Sequence, residues 1–138
     1  MAEALILDSE AVHALARPSK REALAKRARA ILTVAYERRA LVRVPTAVLA
    51  EVCRGEPFDA AVDHLLNGKG IAVFDLTRKV AQRAGALLGR AKLSSRSAVV
   101  AFVAGTAMEF ERAVIATGDP DDMQRLIGSN RQIRVFAL

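Results

Sequence analysis

Residues 113–123 read AVIATGDPDDM. The stretch opens on an unbroken apolar run. It then crowds Asp119, Asp121 and Asp122 around Pro120. A short apolar run closed by Thr117-Gly118 fits a strand buried on both faces, the kind found in a parallel sheet. Asp119-Pro120 then starts a helix, because an acid at the cap and proline in the first turn suit a helix N-terminus. The same grammar opens the chain. The run ALIL at 4–7 ends at Asp8, and DSEAVHALA at 8–16 reads as a helix stopped near Pro18.

Working outward, the pattern repeats. Residues 19–39 are helical in period, with Leu24, Ala28, Ile31, Leu32 and Ala35 on one face. LVRV at 41–44 is a second strand, and a helix begins at Pro45-Thr46. GEP at 55–57 interrupts it, and FDAAVDHLLNG at 58–68 forms another helix ended by Gly68 or Gly70. IAVFDL at 71–76 is a third strand. Thr77 caps the helix RKVAQRAGALLGRAK, where Gly85 and Gly89 lower helix propensity and predict close approach of a neighbour. LSSRS at 93–97 caps AVVAFVAGTAM, a helix apolar nearly all round and so buried. RAVIAT, PDDMQRLI and IRVFAL supply a fourth strand, a helix and a fifth strand. Strands alternating with helices over 1–138 predict one α/β domain, a parallel sheet with helices on both faces. Right-handed crossovers put all strand ends on one edge, and ligands bind there near a switch in strand order.

Composition bounds the function. Hydrophobic residues make up 52% of the 138 residues, which argues against disorder, and aromatics only 4%, so the core is aliphatic. The net charge of +6 favours an anionic partner, nucleic acid ahead of a membrane surface. Cys53 is the only cysteine, which suits a reducing cytoplasm. The N-terminus lacks a secretory pattern, and the longest near-apolar run is too short to span a bilayer.

The acids are the candidate chemistry. Asp8 and Asp119 end the first and fourth strands, Glu51 lies on the helix after the second, and Asp122 is one turn beyond Asp119. Brought together, like charges raise one another's pKa values, and a divalent cation relieves the conflict. Mg²⁺ takes hard oxygen ligands and keeps several waters. Such a site in a basic protein fits phosphodiester hydrolysis. Each acid also has a plainer reading: Asp8 and Asp119 are good N-caps, and Glu51 alone fits a solvated helix residue. His13 and His64 are isolated, and Cys53 reads as a small buried residue. The basic face of 19–39 suits RNA or simply solvent. An acid-pocket receiver would need a phosphate-accepting Asp followed by a Lys at a later strand end. Asp75 and Lys79 stand in the wrong order and register, and no glycine-rich phosphate loop is present.

LILDSEAVHALA, VPTAVLAEVCRG and VIATGDPDDMQRL, in that order, resemble the PIN-domain family, in particular the VapC-type toxins of toxin–antitoxin modules. RKVAQRAGALLGRA resembles the helix these toxins carry between the second and third of those stretches. The resemblance implies a three-layer α/β/α domain with a parallel sheet of about five strands. It implies an endoribonuclease dependent on Mg²⁺ or Mn²⁺, a cognate antitoxin as partner, and a homodimer. By position Asp8, Glu51 and Asp119 would hold the metal, with Asp122 as a further catalytic acid. Ser97 and Thr117 would position water or phosphate.

One departure stands out. The family usually carries Asp-x-x-Asp-Ala at the start of the long buried helix, and this chain has Ser94-Ser95-Arg96-Ser97-Ala98. Serine brings no charge against a cation, and Arg96 adds positive charge beside it. Two outcomes stay open: a nuclease of lowered metal affinity, or a degenerate PIN domain that binds RNA or protein without cleavage.

Overall fold

A computed structural model of the chain describes residues 3–68 and 70–138. Five strands form one sheet: β1 (Glu3–Leu7), β2 (Leu41–Pro45), β3 (Ile71–Phe74), β4 (Arg112–Thr117) and β5 (Ile133–Ala137). All pairings are parallel, in the order β3-β2-β1-β4-β5. The alternating pattern thus yields the expected parallel sheet. The chain winds from β1 outward through β2 to β3, then returns across the sheet to β4 and β5. The switch in strand order therefore falls between β1 and β4, where Leu7 lies beside Ala116.

The helices are α1 (Ser9–Ala16), α2 (Glu22–Glu37), α3 (Thr46–Val52), α4 (Phe58–Leu66), α5 (Arg78–Ala91), α6 (Ala98–Ala107) and α7 (Pro120–Ile127). Among them α1, α2 and α4 pack together on one side, and α5, α6 and α7 on the other. Helix α3 touches α1 and α4 as well as α6, so it bridges the two layers. This is the three-layer α/β/α arrangement of a PIN-like fold. The core is aliphatic, as composition requires. Leu5, Ile6, Leu7, Val42, Val44 and Ile115 are essentially sealed from water. Each such side chain contributes about 1.5–3 kcal/mol of transfer free energy. Ala25 and Ala28 of α2 are fully buried beside Ala14 of α1, so small side chains let these two helices approach closely.

Three local expectations need correction. The segment before α2 is not α-helical from residue 19: Pro18–Lys20 forms a 3-10 turn, consistent with the fixed φ of Pro18, and α2 starts at Glu22. Gly85 and Gly89 face open space, with nothing within 4 Å of where a Cβ would stand. The close approach between α5 and α6 is made instead by Gly105, whose Cβ would lie 3.2 Å from the Val80 carbonyl oxygen. Cys53 is half-buried rather than sealed.

Candidate active site at the β1 and β4 strand ends

Asp8 follows β1 directly and serves as the N-cap of α1. One carboxylate oxygen, Oδ1, accepts the Ala11 N–H at 3.0 Å. The other, Oδ2, accepts the Gly118 N–H at 3.0 Å. The plain capping role and the strand-end placement thus hold together. The Asp8 N–H also continues the ladder by donating to the Ala116 carbonyl at 3.2 Å, so Asp8 sits level with Thr117. Asp8 is only 8% exposed, and burial pushes its carboxyl above the ordinary range against the pull of hydrogen bonds from Thr117, Ala11 and Gly118.

Thr117 is fully buried at the end of β4. Its hydroxyl lies near enough to Asp8 to favour the charged carboxylate, and its Oγ1 accepts the Asp119 N–H at 2.9 Å. Asp119 stands at the N-cap position of α7 without a formed side-chain capping bond, and its carboxylate lies beside the Asp122 backbone N–H and carboxylate. Burial, then the Asp122 carboxylate, raises its proton affinity. Asp122 in turn lies 3.9 Å from Arg125 one turn along α7. Glu51 projects from the last turn of α3 and accepts a hydrogen bond from the Ser9 hydroxyl, next in sequence to Asp8.

The acids therefore follow one edge: Glu51 bonded to Ser9, Asp8 preceding that serine in sequence, and Asp119 and Asp122 beyond the end of β4. Among the described residues Asp8, Glu51 and Asp119 form no ion pair. Neither do any three His, Cys, Asp or Glu side chains converge as a metal cage among the described residues. The donor set thus does not make a closed cage of three acids. It does suit a hard cation held by one or two carboxylates and water, the habit of Mg²⁺. Asp8 and Asp119 provide hard oxygens, have no cationic partner among the described residues, and flank Thr117.

Ser97 lies at the N-cap of α6 and makes no side-chain capping bond, whereas Ser94 accepts the Arg96 N–H at 3.3 Å. Only a short link separates α6 from β4, so α6 runs back against the strands and carries Ser97 toward the edge where they end. Arg96 is exposed.

One acid of this edge was not singled out by sequence. Glu10 in the first turn of α1 lies against Gly118, adds to the rise in Asp8's pKa, and is ion-paired with Arg21. A helical acid two residues after a cap is ordinary in sequence. Only the pairing of β1 with β4 brings it over Gly118.

No protein-family model matches the chain, and no curated protein matches it by sequence. Among solved structures, it resembles a chain of the crystal structure of VapBC2 from Rickettsia felis bound to a DNA fragment from their promoter. The TM-score is 0.67 over 98% of each chain, at 11% sequence identity. The fold is PIN-like. At that identity the likeness concerns architecture, and the chemistry rests on the side chains above.

Proposed function

We propose that the protein is a PIN-type endoribonuclease of a toxin–antitoxin module, hydrolysing RNA phosphodiester bonds with Mg²⁺ or Mn²⁺. One observation carries this reading. Two carboxylates with no cationic partner among the described residues, Asp8 and Asp119, flank Thr117 where the strand order switches. Asp8 and Asp119 would hold the ion, with Glu51 reached through water and Asp122 supporting Asp119. When bound, the ion would polarise a phosphoryl oxygen and lower the pKa of the attacking water.

The chain's own residues set up that chemistry. The Ala11 and Gly118 N–H groups lock the orientation of the Asp8 carboxylate. The Ser9 hydroxyl steadies Glu51, and Thr117 fixes the backbone that presents Asp119. Asp119 is exposed, so a strand of RNA can reach it. Lys20, Lys26 and Arg29 on and beside α2 would hold phosphates. A cognate antitoxin, a homodimer and a cytoplasmic setting complete the proposal. Among the described residues no helix is long and apolar enough to cross a membrane.

The test is cleavage of single-stranded and structured RNA with Mn²⁺, Mg²⁺ or EDTA, beside Asp8→Asn. Cleavage that requires both metal and Asp8 supports the enzyme. RNA binding without cleavage at high Mn²⁺ refutes it. That second result would favour the degenerate module, the alternative that serine instead of acid at the start of α6 leaves open.

A further inference from the structure

At the opposite edge of the sheet, the C-terminal half of α2 and the beginnings of β1, β4 and β5 enclose a cleft of about 510 Å³. That is the size of a pocket able to take several side chains. Arg38, Arg112, Arg131 and Arg134 line it, and Glu3 is the only acid among the described residues that does so. Arg38 engages Glu3 through Nε at 2.8 Å and a terminal nitrogen at 3.0 Å. Among the described residues Arg112, Arg131 and Arg134 form no ion pair, although Arg112 adds to the positive field on Glu3. The cleft is thus left with unneutralised guanidinium groups.

Its wall is apolar. Ile31 and Val34 of α2 line it together with Val114 of β4, and Val34 is 45% exposed. We infer that this cleft binds an acidic amphipathic segment of a partner protein, its carboxylates on the arginines and its aliphatic side chains on Val34 and Ile31. Guanidinium forks match carboxylates in geometry as well as charge. RNA would satisfy the charge only. Single-stranded nucleic acid binds by stacking bases on aromatic rings, and none of the residues lining this cleft is aromatic. The inference does not rest on the proposed nuclease, because the two sites lie at opposite edges.

The experiment uses the full chain and a fluorescein-labelled peptide of alternating leucine and glutamate, read by fluorescence anisotropy. Saturable binding is expected. Arg112→Glu combined with Arg134→Glu should weaken it by about tenfold or more, since two attractions become repulsions. Val34→Asp should weaken it comparably, and a peptide with glutamine for glutamate should bind poorly. Arg78→Glu, away from the cleft, should leave the affinity unchanged. All the altered side chains are exposed, and melting curves confirm that each variant folds. No binding, binding indifferent to these cleft substitutions, or displacement by an oligouridylate of similar length overturns the inference.

Discussion

Gly118→Ala tests the edge on which the proposed site depends. Gly118 lies outside the left-handed region of backbone space. On conformational grounds alone, alanine there would stabilise the protein by about 0.4–1 kcal/mol by restricting the unfolded chain. The structure predicts the opposite sign. An added Cβ would stand 2.8 Å from the Glu10 Cβ, closer still to its Cγ, and 3.4 Å from its Cδ. Ordinary carbon contacts lie at about 3.5–4.0 Å. Rotation of the Glu10 side chain can relieve the Cγ and Cδ contacts. It cannot move the Cβ, which the backbone of α1 holds. The first turn of α1 must therefore retreat from β4, straining the Gly118 N–H bond to Asp8 Oδ2. Overpacking of this kind costs about 1–3 kcal/mol. That is a fall in Tm of roughly 3–10 °C for a chain of this size. Thermal and urea melts measure it, and a double-mutant cycle locates it. Glu10→Ala should restore only part of the loss, because it keeps the offending Cβ. Glu10→Gly should show the larger coupling, by about 1 kcal/mol. A Gly118→Ala protein as stable as the parent, or more so, would refute the packing of α1 on the end of β4.

Asp8 and Asp119 both bind protons more tightly in the folded protein than their ordinary values. Their contribution to stability is therefore full below the ordinary carboxylate pKa and is lost as pH rises through the raised values. Glu3 runs the other way: Arg38 lowers its pKa, so its contribution disappears as pH falls. Urea melts across the acid-to-neutral range should show a decline with rising pH that is shallower in Asp119→Asn. Ser97→Asp should tighten Mn²⁺ binding, read by calorimetry, and speed any RNA cleavage; no gain in either removes Ser97 from the site. Gly85→Ala and Gly89→Ala should each raise stability by about 1 kcal/mol, since helix propensity improves and nothing obstructs the new methyl. Gly105→Val should lower stability, because its side chain meets the Val80 carbonyl oxygen and Cγ1.

How much of this was legible in the sequence follows from which interactions are local. Strand and helix alternation depends on the period of apolar residues and on caps, and both are written along the chain. Asp8 before Ser9-Glu10 and Thr77 before α5 act as N-caps as read, because capping joins residues three apart. Gly85 and Gly89 misled for a related reason. Their spacing places them on one face of α5, but a face can point to solvent or to a neighbour, and sequence does not say which. Gly105 was hidden inside an apolar run where a glycine draws no notice.

The site itself is legible only to the extent that topology is. Once β1 and β4 are neighbours, Asp8 and Thr117 must be level, because parallel register carries Leu7 beside Ala116 and the next residues beside each other. That argument needs only the switch in strand order. It does not fix where Glu51 goes, since α3 is short and its last turn can rotate the side chain toward either layer. In the folded chain the Glu51 carboxylate accepts a hydrogen bond from the hydroxyl of Ser9, the residue after Asp8. Nor does topology show that Thr117, buried and uncharged, lies near Asp8 while its Oγ1 accepts the Asp119 N–H. Removing its hydroxyl in Thr117→Val would leave the Asp119 N–H without that acceptor and take from Asp8 a neighbour that favours its charged form. A loss of about 1–3 kcal/mol is expected from a group stranded in the interior. A valine protein of unchanged stability would mean that the two acids are held apart by the backbone alone, and the case for a shared cation would lose its geometric footing.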